Sequence, residues 1–184
     1  MVMDRRNFIK TTSLVMAGLL LPSIPLHAKT HLSVEQARAL LWGDMDMAPI
    51  SVELTKDQIK KIKKASKVRV RNNKLQAWKT ADNGWFIVDQ VIGKHENIDL
   101  AVGLTSEGKV KGVEILTYRE SYGHEVRNPK WRSQFLNWRP GQPNKILKLD
   151  REIKNISGAT LSCRHVTDGI NRLTHTWDQV LQHL

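Results

Sequence analysis

The chain has a single cysteine, Cys163, in 184 residues. One thiol excludes an intrachain disulfide, a cysteine-based zinc site and a CxxCH haem attachment. Aromatic residues are scarce at 6%, with two Tyr and three Phe, although six Trp are present. Acidic residues are in the minority too: 18 Asp and Glu against 29 Lys and Arg leave a formal net charge of +11. Such an excess suits an anionic partner, either nucleic acid or an anionic surface. There is no internal repeat and no low-complexity tract. The apolar run from Leu14 to Leu21 is too short for an ordinary membrane-spanning helix. The length suits one domain with a full-sized core.

What is present at the N-terminus sets the expected compartment. Asp4-Arg5-Arg6-Asn7-Phe8-Ile9-Lys10 is a twin-arginine opening, followed by that apolar run and by Pro22 and Pro25. Leu26-His27-Ala28 ends on a small residue suited to cleavage. Residues 1–28 therefore read as a twin-arginine-type signal peptide, and the mature protein is expected in the periplasm or cell envelope. Cleavage would remove three basic residues and one acidic, so the remainder stays strongly basic. Export and the scatter of the charges argue against nucleic acid. The densest cluster is Lys60, Lys61, Lys63, Lys64 and Lys67, opposite Ile59 and Ile62. It reads as a solvated helix face, with peripheral attraction to anionic lipid or an acidic redox partner left open.

Residues 29–67 are expected to form an N-terminal helical segment. Ser33 with Gln36, and Thr55 with Gln58, make two capping boxes. Gly43 to Pro49 reads as loop. From Val68 the pattern changes to strands: Val68–Arg71, Leu75–Thr80, Gly84–Ile92, Ile98–Thr105 and Lys109–Tyr118, joined by short polar turns. Connections this short make neighbouring strands antiparallel. Asn128 with Pro129 opens a helix carrying Trp131, Phe135 and Trp138, and Lys145–Asp150 reads as a short strand. The closing helix buries a stripe of Val166, Ile170, Leu173, Trp177, Val180 and Leu184. The whole is expected to be α+β: an antiparallel meander packed with helices, with residues 68–184 as its main domain.

The segment before that last helix, Asn155-Ile156-Ser157-Gly158-Ala159-Thr160-Leu161-Ser162, is nearly bare of large side chains. Gly158 permits a left-handed turn, and the helix start that follows offers free N–H groups and a partial positive charge to an anion such as phosphate. The same residues would also serve as a plain helix cap through Ser157, Thr160 or Ser162.

This segment resembles the attachment motif of the FMN-binding domain family, which includes flavin-carrying subunits of sodium-pumping NADH:quinone reductases. Val91-Ile92-Gly93-Lys94-His95-Glu96, Tyr118 to Val126, Trp131 to Phe135 and His165 to Gly169 are similar to exported single-domain members. The resemblance implies FMN joined by a phosphoester to Thr160, installed by a flavin transferase from FAD. It implies that Ser157, Gly158, Ala159, Leu161 and Ser162 surround the attachment point. Glu120, Ser121, Tyr122, Gly123 and His124, with His165, are the expected ring and phosphate neighbours, and Tyr118 or Trp131 the further aromatic faces. The family carries an acidic residue three positions before the Ser-Gly-Ala-Thr run, whereas Lys154 stands there in this chain. No catalytic group and no metal site are implied. The expected function is an exported electron carrier serving a membrane or soluble redox partner. A flavin-dependent reductase of a small acceptor, and a non-redox binding module with an unmodified loop, are the rival readings.

Overall fold

The computed structural model describes residues 29–141 and 145–184, so the expected signal 1–28 lies outside the described residues. Six strands form one sheet: β1 (Lys29–Thr30), β2 (Met47–Glu53), β3 (Lys74–Thr80), β4 (Trp85–Ile92), β5 (Asn97–Leu104) and β6 (Val110–Tyr118). β2 to β6 run as an antiparallel meander, and β1 adds to the outer edge of β6. The α+β fold with an antiparallel sheet is as the sequence pattern predicts.

Alternation along the strands sorts side chains to two layers. Trp85, Ile87, Leu100, Val102 and Ile115 enter the larger core. Phe86, Ala101 and Leu116, on the opposite face, pack with Ala37 and Trp42 of helix α1 (Val34–Trp42). The larger core is closed by α4 (Thr160–Gln179), which buries Val166, Ile170, Leu173 and Trp177 as predicted, and by α2 (Lys56–Ser66) packed beside it; the helix ends before Val180, so Leu184, expected on the same stripe, is exposed. Both capping boxes are formed, with Ser33 and Thr55 accepting from the amides of Gln36 and Gln58. The lysines of α2 project from its exposed face.

Four local expectations are corrected. Part of the Gly43–Pro49 loop belongs to β2, an edge strand that tolerates Pro49 opposite Trp78 because an edge leaves one row of backbone groups without ladder partners. The sheet thus extends into the stretch expected to be helical. Val68–Arg71 forms no strand; Lys67 ends α2 at φ +62°, and the chain runs past the sheet without joining it. The helix expected after Asn128 stops after one turn, α3 (Pro129–Arg132), continuing as a 3₁₀ turn to Phe135. Its stripe survives in part, since Trp131 and Phe135 still meet edge to face at 5.2 Å. Lys145–Asp150 forms only a single bridge, Leu149 to Ile153.

That connector is instead held by α4. The side chain of Asn171, buried, accepts from the Leu147 amide at 2.8 Å and donates to the Leu147 carbonyl at 2.9 Å. Asn171→Ala would leave both backbone groups unpaired in the interior, so it should lower stability by about 2–4 kcal/mol. Urea denaturation measures this, and an unchanged midpoint would mean that the connector is held elsewhere.

Candidate functional site

The segment Ile156–Ala159 is a tight turn, closed by the Ala159 amide donating to the Ile156 carbonyl at 3.0 Å. Gly158 takes its third position at φ +83°, a value natural to glycine, and a β-carbon there would meet nothing within 4 Å. The turn delivers the chain into α4 at Thr160. The residue ahead of the helix, Ala159, has no side chain able to cap it, and the first turn carries no acidic residue. Its leading amides are thus left without a side-chain partner, at the positive end of a 20-residue helix. Thr160 itself is half-buried, and its Oγ1 accepts from Nδ2 of Asn155 at 3.1 Å.

A second loop packs on this turn. Gly123, at φ +86°, sits so close that a β-carbon would lie 3.2 Å from Cβ of Ala159 and 2.6 Å from the Tyr118 hydroxyl. Tyr118, at the end of β6, donates its hydroxyl proton to the Tyr122 carbonyl at 2.5 Å. A phenol has one proton to give, so in the 2.9 Å contact with Ser162 it is the serine that donates. Burial raises the Tyr118 pKa and so keeps its hydroxyl protonated. The chain Ser162–Tyr118–Tyr122 thereby fastens the loop after β6 to the first turn of α4.

The predicted site residues separate into three groups. Ser157, Gly158, Leu161, Ser121 and Tyr122 are exposed, Tyr122 82% and Leu161 38%, and Thr160 is half-buried. Ala159, Gly123 and Ser162 are buried and join the two loops. Glu120 and His165 turn elsewhere, and His124 makes no side-chain hydrogen bond among the described residues. Glu120 reaches back to the turn after β4, accepting from the amides of His95 at 2.6 Å and Glu96 at 3.0 Å. Burial works against its charge, but the amides of Glu96, His95 and Lys94 outweigh that and hold the carboxyl below its ordinary value of 4.5. His165 contacts the Gly93 carbonyl through Nδ1 at 3.1 Å, which fixes that nitrogen as the protonated one. His124 is exposed, and its carbonyl accepts from Nε of Arg127.

Trp131 is a brace and not an open aromatic face: it is buried and donates from Nε1 to the Lys154 carbonyl at 2.7 Å. Gln134 accepts from the Lys154 amide at 2.8 Å, so the Lys154 backbone is pinned while its side chain is exposed. Cys163 is fully buried, and desolvation pushes its thiol pKa up, which keeps it unreactive. Asn155 and Gln134 are contributors that sequence reasoning missed. Asn155 directly precedes the turn and was within reach as an Asx residue; Gln134 had no local signal.

An uncapped helix start, an open glycine turn, a held threonine hydroxyl and an exposed apolar rim define a phosphate-accepting α+β module, and these residues fit the phosphate and ring of FMN. The comparisons agree. Residues 93–175 match the model of the FMN-binding domain, which indicates FMN as the cofactor. Its fold is similar to the crystal structure of Shewanella oneidensis NqrC, with a TM-score of 0.50 at 17% identity, covering 72% of this chain and 68% of that one. No curated protein matches the chain.

Two outcomes follow. Gly123→Ala, which sets a β-carbon against Tyr118 and Ala159 at a positive φ, should cost about 1–3 kcal/mol in urea denaturation and lower the flavin content of the purified protein. Glu120, with its pKa depressed on folding, contributes stability above pH 4.5 that is lost as pH falls through its lower folded value. Melting temperatures of wild type and Glu120→Gln should therefore differ most above pH 4.5 and converge in stronger acid. A gap that widens in acid would contradict this sign.

Proposed function

We propose that this chain is an exported electron carrier that holds FMN covalently, through a phosphoester on Thr160, for a redox partner at the cell envelope. The observation that carries the reading is the start of α4: leading amides without a side-chain cap, behind an open turn, at a threonine whose hydroxyl is held by Asn155. FMN supplies one- and two-electron chemistry that no side chain of this chain offers.

The chain's own residues would orient and shield. The first-turn amides of α4 would bind the phosphate, and Asn155 would fix the direction of Oγ1. Tyr122 and Leu161 would cover part of the ring. Among the described residues nothing bonded to the Thr160 hydroxyl makes it a strong nucleophile, since Asn155 only donates to it. Activation therefore falls to a flavin transferase, and the exposure of Ser157 and Gly158 leaves room for one. The open surroundings of Thr160 support a carrier over a reductase, whose acceptor would need an enclosed place beside the ring. The twin-arginine opening at residues 1–28 supports export, and the lysine face of α2 suits an acidic partner or an anionic membrane surface.

The test is to produce wild type and Thr160→Val with the native flavin transferase and to measure flavin absorbance after denaturation and desalting. Wild type should stay yellow and the variant should be colourless while remaining folded. A colourless wild type would overturn the proposal, and a yellow variant would move the attachment elsewhere.

A further inference from the structure

The register of the sheet leaves a gap that the fold does not fill. β4 pairs with β5 along its whole length, from Trp85 opposite Leu104 to Ile92 opposite Asn97. It pairs with β3 only from Trp85 to Val88. On the β3 side, the backbone of Asp89–Ile92 has no ladder partner among the described residues, although about half of its N–H and C=O groups turn that way. By the register of that pairing Leu75 and Lys74 would face Asp89 and Gln90, but they pair only with β2, and Asn72 and Asn73 before them are not in a strand. Around this bare edge lies a cleft of about 550 Å³, within the range of small-molecule sites. A second cleft of about 240 Å³ shares Arg71, Gln90, Val91, Ile92 and Arg172 with it.

The chemistry of the walls is specific. Arg172, from α4, lines both clefts and is 7% exposed. Asp89 accepts from its Nη2, but its Nε has no partner among the described residues. A buried charged donor left bare is costly, and an incoming acceptor would relieve it. Arg69, Arg71 and Lys74 line the two clefts and make no ion pair among the described residues. The acids of the larger cleft are already committed, Asp89 to Arg172 and Asp99 to Arg119. Beside these charges stand Leu54, Val70 and Leu75.

From this lining we infer that the cleft binds a small organic anion, a carboxylate carried on an apolar body. Arg71, Lys74 and the spare donor of Arg172 would take the carboxylate, and the leucine and valine walls would take the body. The volume is too large for an inorganic anion alone. The lining comes from both faces of the sheet, Leu173 on one and Leu116 on the other, so the space wraps the strand edge instead of running along it. That shape favours a compact ligand over an added peptide strand. None of Ser157–Ser162 lines either cleft, and His165, of the expected flavin neighbours, lines only the smaller one. Arg71, Lys74, Asp89 and the apolar trio also precede residue 93, where the family match begins. The site is therefore separate from the flavin attachment.

The test uses the flavin-loaded chain and 4-phenylbutyrate as probe, by isothermal titration. Saturable binding is expected, with a higher melting temperature in its presence. The double variant Arg71→Ala/Lys74→Ala should bind at least about tenfold more weakly, about 1.4 kcal/mol, with unchanged flavin content and unchanged melting temperature in the absence of probe. The neutral amide of the same acid should bind at least about tenfold more weakly to wild type. Absence of saturation up to about 10 mM, or equal binding by the double variant, would overturn the assignment. So would equal affinity for inorganic phosphate. Binding of an acetylated Asp-Val-Asp-Val-Asp peptide without binding of phenylbutyrate would replace it with strand addition.

Discussion

One phenolic oxygen joins the two halves of the site. Tyr118 stands at the last position of β6, donates to the Tyr122 carbonyl and accepts from Ser162 in the first turn of α4. Burial raises its pKa, so it stays a neutral hydroxyl at ordinary pH and the direction of the relay is fixed. The close seat of Gly123 on Ala159 depends on the same contact. Without it, the loop after β6 and the turn before α4 would be neighbours with no shared register. With it, the exposed Tyr122 and Leu161 are carried on two segments fixed to each other. The helix start can then remain uncapped, because its position is set by side chains that do not occupy its amides.

The outer supports follow from that centre. Trp131 and Gln134 hold the backbone of Lys154 just before the turn, and Asn171 holds the connector before that. On the far side, Glu120 and His165 clasp the turn after β4 from two elements, one binding its amides and the other its Gly93 carbonyl. These are rigid-scaffold roles, and they explain why polar residues flank the site without facing it. Lys154 stands where the resemblance led to the expectation of an acid, and its side chain is exposed.

The meander, both capping boxes and the apolar stripe of α4 were legible in the sequence because each is a local pattern of period or spacing. The failures came where tertiary context overrode such patterns. The alternating Val68-Arg69-Val70-Arg71 reads as a strand, but Lys67 ends α2 in a left-handed conformation and the segment passes beside β4 unpaired. Pro49 argued for loop, yet an edge strand accommodates it. Trp131 was expected as a further aromatic face, since its spacing to Phe135 says nothing of the indole's reach to Lys154, 23 residues on. At the site, the bare loop before α4 was readable as a place for phosphate. The long-range partners, Tyr118 to Ser162 across 44 residues and Glu120 to His95 across 25, had no signal in spacing.

The covalent place of the flavin on Thr160 can be read from a single peptide. Trypsin should cut after Lys154 and Arg164, releasing Asn155–Arg164 with Ser157, Thr160 and Ser162 as its hydroxyl residues. Tandem mass spectrometry of this peptide, from protein matured with its native transferase, locates the modification directly. One FMN phosphoester on Thr160 is expected. An unmodified peptide, or FMN on Ser157 or Ser162, would contradict it.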